Sequence, residues 1–412
     1  MRIDQEHAAA SIDRPRIGQA SLRRMTALLA MLAAFGALAI DLYLPALPQI
    51  GADLGASPST VQLSVTLFLA GFTAGMLLCG PLADRLGRRP VLLGGVALFA
   101  LASLGCMLAA SIGQLIAARL LQALGGSAAF VLSRVVARDL FPGPGAIRML
   151  SLLAMVSALA PLLAPLAGSA LMTVFGWRGT FGALVGWALL ALGVVWALLP
   201  ESLAPEDRVR VAPARVFGVY RRLLADKAAL GLLIAGGMSF AAMFAYITAG
   251  PFFFIELHRL TPVQYSLVFA ANAFGIFLAN YVNRRCAVHP GPQAMMRVGC
   301  LAALTGALVL LAAVLGEAPL WVAMGGLFAV VSMTGLLGAN GIGLLMARFP
   351  RDAGAAAGLF GAAQFGFGAL ASVAVSLLHD GRGVSMAWTI LAVSTLSLLG
   401  QALYRSQVRR QA

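Results

Sequence analysis

The chain has 412 residues, of which 60% are hydrophobic and only 11% charged, with a formal net charge of +14. A soluble domain carries about 25% charge, so this composition excludes a water-covered globular protein. The positive charge sits mostly in short segments between apolar runs, where it orients helices, and no stretch points to nucleic acid.

The residues up to Arg24 are polar and basic, without a short apolar core or a small-residue cleavage site. They are expected to form a cytoplasmic tail rather than a signal peptide. Apolar runs of about 20 residues then follow, each long enough to cross roughly 30 Å of hydrocarbon. Proline, glycine and charge clusters divide them into twelve expected spans. Those of the first half are 25–45, 61–82, 91–110, 114–133, 149–172 and 180–199. Those of the second half are 229–250, 264–282, 294–315, 320–346, 354–378 and 385–404. The expected fold class is an all-α membrane protein with twelve transmembrane helices in two six-helix bundles. These bundles cover 25–200 and 229–404, joined by a charged cytoplasmic loop at 201–228 and followed by a tail at 405–412.

The basic residues test this division. Of the 29 lysines and arginines, 24 fall on the side shared by the termini and the 201–228 loop. Three (Arg178, Arg259, Arg382) fall opposite, and two (Arg119, Arg134) lie inside spans. That asymmetry predicts both termini in the cytoplasm and an even number of crossings. A weak internal repeat matches "GPLADRLGRRPV" after span 2 with "NYVNRRCAVHPG" after span 8. Two such halves with a site between them are the architecture of many secondary transporters.

Within span 1, "AIDLYLPALPQI" (39–50) sets an acid in an apolar run. Of the 15 acidic residues, only Asp41 lies well inside a span. A charge at the bilayer centre costs about 2.5–3.5 kcal/mol on insertion scales, so Asp41 is expected to face the bundle interior with a partner or to be protonated. Counting helix rise places Arg119 of span 4 in the same layer, within reach. Pro45 and Pro48 are expected to loosen the helix just beyond. Arg134, near the inner end of span 4, is expected to snorkel to the interface. The cysteines Cys79, Cys106, Cys286 and Cys300 have no metal or redox spacing and read as small buried hydrophobes.

Taken together, the motifs resemble the major facilitator superfamily, and within it the twelve-span drug:proton antiporters of the Bcr/CflA type. The loop "GPLADRLGRRP" carries Gly80, Asp84, Gly87, Arg88 and Arg89 of the superfamily's loop motif, and "ARLLQALGGSAA" carries Arg119, Gln122 and Gly126 of the span-4 motif. "APLLAPLAG" is similar to the span-5 antiporter motif, with Pro161, Pro165 and Gly168. "DLYLPALP", "QYSLVFAANAFG" and "FPRDAGAAAGLFGAAQFGFG" look like the subfamily's own signatures. Two departures stand out: Ala33 and Ala34 occupy the stretch where some relatives carry a second acid, and the second copy of the loop motif has lost its acid and its G-R-R.

The resemblance implies proton coupling at Asp41 and Arg119. It also implies a substrate cavity at Asp41, Tyr43, Gln122, Phe240, Phe244, Tyr246, Phe269 and Asn272. A conformational gate is implied in which Asp84 approaches the start of span 11 near Gly354 in the outward-open state. The expected activity is export of small amphipathic compounds, of the chloramphenicol or bicyclomycin kind, in exchange for protons across a bacterial inner membrane. The partners would be a small drug or metabolite, protons and the lipid bilayer, with the chain a monomer and no cofactor or metal. An importer or symporter of the same fold, a metabolite exporter, or a permanent Asp41–Arg119 ion pair of purely structural role remain alternatives. An intramembrane enzyme is disfavoured, since His7, His258, His289 and His379 lie in the tail, in loops or at a span end.

Overall fold

The computed structural model describes residues 19–141, 143–208, 213–286 and 291–411. Arg2, His7, Arg14, Arg16, Arg210 and His289 lie outside the described residues, as do the side chains of Arg215 and Cys286. Among the described residues there is no strand.

Span 1 is built from helices Gln19–Ala33 and Phe35–Asp41, a 3-10 turn Leu44–Ala46 and helix Leu47–Asp53. Spans 2, 3 and 4 are Pro58–Leu86, Arg88–Met107 and Ile112–Leu140. Spans 5 and 6 form one continuous element, Pro144–Leu198, folded back at Gly176, whose φ of 66° only glycine adopts freely. A helix Pro213–Ala225 follows in the linker. Span 7, Lys227–Pro251, runs on through a π-helical turn, Phe252–Leu257. Spans 8 to 12 are Pro262–Cys286, Gly291–Leu315, Leu320–Arg348, Ala353–Leu377 and Val384–Gln411. Among the described residues, eleven helices are long and apolar enough to cross a membrane, one of them a 51-residue element bent at Gly176, which makes twelve crossings.

Three boundaries differ from expectation. Span 1 does not stop at 45 but continues to Asp53, because the prolines interrupt it without ending it. The helix of span 12 runs on through 405–411, and the 201–228 loop carries a helix of its own.

Large apolar side chains such as Leu101 and Leu377 point outward, 69% and 77% exposed, as a lipid-facing surface requires. Trp196 and Trp321 are exposed near opposite ends of the molecule, the placement of interfacial aromatic anchors. Cys79, Cys106 and Cys300 are buried free thiols. The internal repeat is visible in the packing. A methyl on Gly125 would lie 2.5 Å from the Gly95 carbonyl oxygen between spans 4 and 3. One on Gly326 would lie 2.8 Å from that of Gly306, between spans 10 and 9.

Span order puts the linker and most described arginines at one end, called here the basic end. The hydrogen bonds joining the two halves gather at the opposite end. Thr66 and Ser372 oxygens are 2.6 Å apart across spans 2 and 11, and Gln62 reaches His379 at 3.5 Å. Ser169 and Ser266 oxygens are 2.6 Å apart across spans 5 and 8, and each hydroxyl also faces the Pro262 carbonyl. Ser266 lies two hundred residues after Thr66, the same offset that relates the two repeat loops. One partner in each seam thus sits at a corresponding position, and the structure is closed at the end away from the linker.

At the basic end, Arg348 of span 10 donates to Asp226 Oδ2 from Nε at 3.0 Å and Nη2 at 2.8 Å. Asp226 also accepts the Ala229 amide and so caps span 7. Partial burial works against its charge, but the bonds from Arg348 and the span-7 amides prevail and hold its carboxyl below the usual value. A lowered folded-state pKa gives stability that is present above the ordinary carboxylate range and lost as pH falls through it. Asp226→Asn is expected to cost about 2 kcal/mol near neutral pH, with the gap to wild type closing below about pH 4. Melting in detergent across pH 3 to 7 checks it.

Candidate functional site

The site begins with what two prolines do to span 1. Proline has no N–H, so Pro45 leaves the Asp41 carbonyl without its helical donor, and Pro48 does the same for Leu44. The helix stops at Asp41, bends through Leu42 and Tyr43, and resumes only at Leu47. Every residue from Ala39 to Leu47 is buried, so unwound backbone at this depth must find its partners in neighbouring helices.

Span 4 provides one of them. Arg119 is fully buried, and its Nη1 donates to the Ala39 carbonyl at 2.9 Å and to Gln122 Oε1. Gln122 in turn donates to Ser103 Oγ at 2.7 Å. The guanidinium is sandwiched between aromatic faces, 4.2 Å from the Tyr43 ring and 4.1 Å from the Phe68 ring, an arrangement attractive for a desolvated cation. Tyr43 is itself held by Ser64, oxygen to oxygen 3.2 Å. Nε and Nη2 of Arg119 carry no hydrogen bond. The expected meeting of Arg119 with the Asp41 layer is thus made through the Ala39 carbonyl, not through a carboxylate.

Asp41 is 3% exposed, and among the described residues its carboxylate holds neither an ion pair nor a hydrogen bond. It lies within electrostatic reach of Tyr246 on span 7 and Tyr265 on span 8. The hydroxyls of both tyrosines are buried and unpartnered, as is the Asn272 amide nitrogen. Asn272 stands beside Tyr246, whose ring stacks with Phe269 at 5.8 Å. The acid of the first half is therefore coupled electrostatically to two buried tyrosines of the second half. Tyr265 was not singled out in the sequence, although it sits in the quoted "QYSLVFAANAFG".

Phe240 and Phe244 lie deeper toward the basic end, and both pack on Phe365 of span 11, at 5.3 and 5.8 Å between ring centres. Phe365 also touches Phe72 of span 2 at 4.8 Å. This aromatic cluster crosses from one half to the other, and Phe365, also missed, is its hub. Arg134 does not snorkel. It turns back to donate to the Phe130 carbonyl at 2.7 Å, with its guanidinium 3.8 Å from that ring.

Span 5 closes the break from the other side. Gly168 sits so close to Leu42 that a methyl group there would lie 1.8 Å from the Leu42 carbonyl oxygen. Pro161 and Pro165 lie within the same helix. The Pro165 carbonyl is used at the seam, where the Ser169 and Ser266 hydroxyls reach it at 2.9 and 3.0 Å.

The loop motif forms a second site at the basic end. Gly80 lies on span 2 with open space around it. Asp84 pairs with Arg88, and Arg88 Nε also donates to Asp139 at 3.3 Å. Glu201, just past span 6, accepts the Arg88 amide at 2.9 Å and the Arg89 amide at 3.3 Å, which caps span 3. Gly87, with φ of 103°, makes room, since a methyl there would lie 2.4 Å from Glu201 Oε2. Arg89 donates to the Trp196 carbonyl at 2.6 Å. In this conformation Asp84 does not reach span 11, and the group nearest Gly354 is the Arg138 guanidinium. Glu201 and Asp139 carried no motif signal in the sequence. Glu201→Ala is expected to cost about 1 kcal/mol as a lost cap and to slow turnover, both measurable in purified protein.

Comparisons with known proteins agree with this fold. The Major Facilitator Superfamily model matches residues 28–373. A bicyclomycin resistance protein homolog of Haemophilus influenzae is 31% identical over 90% of this chain and 93% of its own. A chloramphenicol resistance protein of Pseudomonas aeruginosa is 33% identical over 76% of each chain. Among solved structures, a D-xylose-proton symporter superposes with a TM-score of 0.74 at 19% identity, over 93% of this chain and 97% of the other.

Proposed function

The chain belongs to the Major Facilitator Superfamily, a family of transporters rather than enzymes, and we propose that it is a proton-coupled exporter of small amphipathic compounds. The observation that carries this reading is the Asp41 carboxylate: buried, without a cation of its own, and set at a break in span 1 between the two halves. Arg119 is held by a carbonyl and two aromatic faces instead. It acts as a fixed positive charge within the first half, not as the partner of Asp41.

A carboxylate so placed pays to be charged unless something compensates. A proton does so, and so does the cationic or dipolar group of a substrate. The two exclude each other, and alternating access then turns that exclusion into antiport. Binding surface for an amphipathic molecule comes from Tyr246, Phe269, Phe240, Phe244 and Phe365, with Tyr43, Gln122 and Asn272 as polar points among them. The latches at the far end and the Asp84–Arg88–Asp139–Glu201 network at the basic end would open and close in alternation. Gly80, Gly87 and Arg89 shape that inner network.

The names of the two resistance relatives support drugs of their kind as substrates. We place the chain in a bacterial inner membrane with its basic end, and hence both termini, in the cytoplasm, working as a monomer without cofactor or metal. Transport in everted vesicles under an imposed pH gradient tests the direction. Accumulation of chloramphenicol or a fluorescent drug driven by an acid interior is expected. Accumulation that requires the reverse gradient would make the chain a symporter, and indifference to the gradient would make it a facilitator.

A further inference from the structure

We propose that a groove between spans 9 and 12 at the basic end is a binding site for the headgroup of an anionic phospholipid. The groove encloses about 560 Å³, and its walls include Arg297 and Leu301 of span 9 with Gln401, Arg405 and Arg409 of span 12. None of the three arginines has a carboxylate or a hydrogen-bond acceptor among the described residues. Arg297 and Arg409 are exposed and Arg405 partly buried, so the three offer positive charge to whatever occupies the groove.

Depth matches a headgroup. Arg297 lies six residues from the start of its helix and Arg405 six from the end of the antiparallel one, roughly 9 Å inside the helix ends for both. Gln401 adds an independent sign. It is 4% exposed, it lines the groove, and its amide has no partner among the described residues. Its amide stands beside the arginines and adds a donor for a phosphate oxygen. The walls are pinned, by Gln293 donating to the Tyr404 hydroxyl at 3.3 Å and by Cys300 at 3.8 Å from the Ser397 carbonyl, so the groove is a standing feature.

Guanidinium forks suit phosphate oxygens. The groove also opens sideways onto hydrocarbon-facing surface, since Val298, Leu301 and Leu399 are 57%, 44% and 59% exposed. An acyl chain can continue along those side chains while its phosphodiester sits among Arg297, Arg405 and Gln401. A free phosphate would gain nothing from that wall.

Native mass spectrometry of the purified full chain, offered equal phosphatidylglycerol and phosphatidylcholine, tests the site. Wild type is expected to retain phosphatidylglycerol selectively. Each arginine is worth about fivefold, so the pair Arg297→Gln with Arg405→Gln should lose most of the preference while still binding a transported drug. The pair Arg284→Gln with Arg285→Gln, at the end of span 8, should keep it. Excess inorganic phosphate should not displace the lipid. Equal retention of both lipids by wild type, equal loss in the control pair, or displacement by phosphate alone would each overturn the proposal.

Discussion

Asp41→Asn is expected to abolish uphill transport in vesicles, by at least tenfold, while downhill exchange of substrate survives. The amide mimics the protonated acid in shape, so packing around the break in span 1 is retained. What is lost is the ability to alternate between proton and substrate. The driving force at stake is substantial: 100 mV supplies about 2.3 kcal/mol per charge, enough for roughly a fortyfold gradient at 1.4 kcal/mol per factor of ten. Asp41→Glu keeps the charge but lengthens the side chain toward Tyr246 and Tyr265, and it should retain coupling at reduced rate. If Asp41→Asn accumulates drug as well as wild type does, the coupling carboxylate lies elsewhere.

Gly168→Ala is expected to be the most damaging single methyl in the protein. Its Cβ would lie 1.8 Å from the Leu42 carbonyl oxygen and 2.8 Å from the carbonyl carbon. Both are backbone atoms, one residue from Asp41, and they cannot swing aside as a flexible side chain would. Either span 5 moves away or the break in span 1 is forced shut. Overpacking of this kind costs about 3 kcal/mol, and it falls where Asp41 is aimed at the second half. A sharp drop in melting temperature together with lost transport is expected. Gly186→Ala on span 6, where a methyl meets nothing within 4 Å, should be silent in both assays. Wild-type behaviour of Gly168→Ala would mean that the contact of spans 1 and 5 is loose in the working protein.

Much of the fold is legible in the sequence because the bilayer imposes few solutions. Hydrocarbon thickness sets span length, and the arginines set direction. Gly176 shows the limit of that logic: one residue in a left-handed conformation is enough to divide a 55-residue helix. The site is legible only in part. Asp41 stands out because an acid inside an apolar run is expensive, and Pro45 and Pro48 announce a break. Where Arg119 goes is not readable, since its partner is the Ala39 carbonyl, which every residue type would offer. Glu201 escapes for a related reason. A carboxylate past the end of span 6 becomes a cap for span 3 only once the chain has folded back on itself. Tyr265 and Phe365 look like any aromatic on an apolar helix until the two halves are brought together.

The most direct measurement is proton release on substrate addition, with purified protein in detergent across pH 6 to 9, for wild type and Asp41→Asn. The compound should be one to which the protein confers resistance. Release in wild type that vanishes in the variant is the predicted result, and it would place proton and substrate in competition for one carboxylate. Release that persists in Asp41→Asn, or binding without any release in wild type, would contradict it.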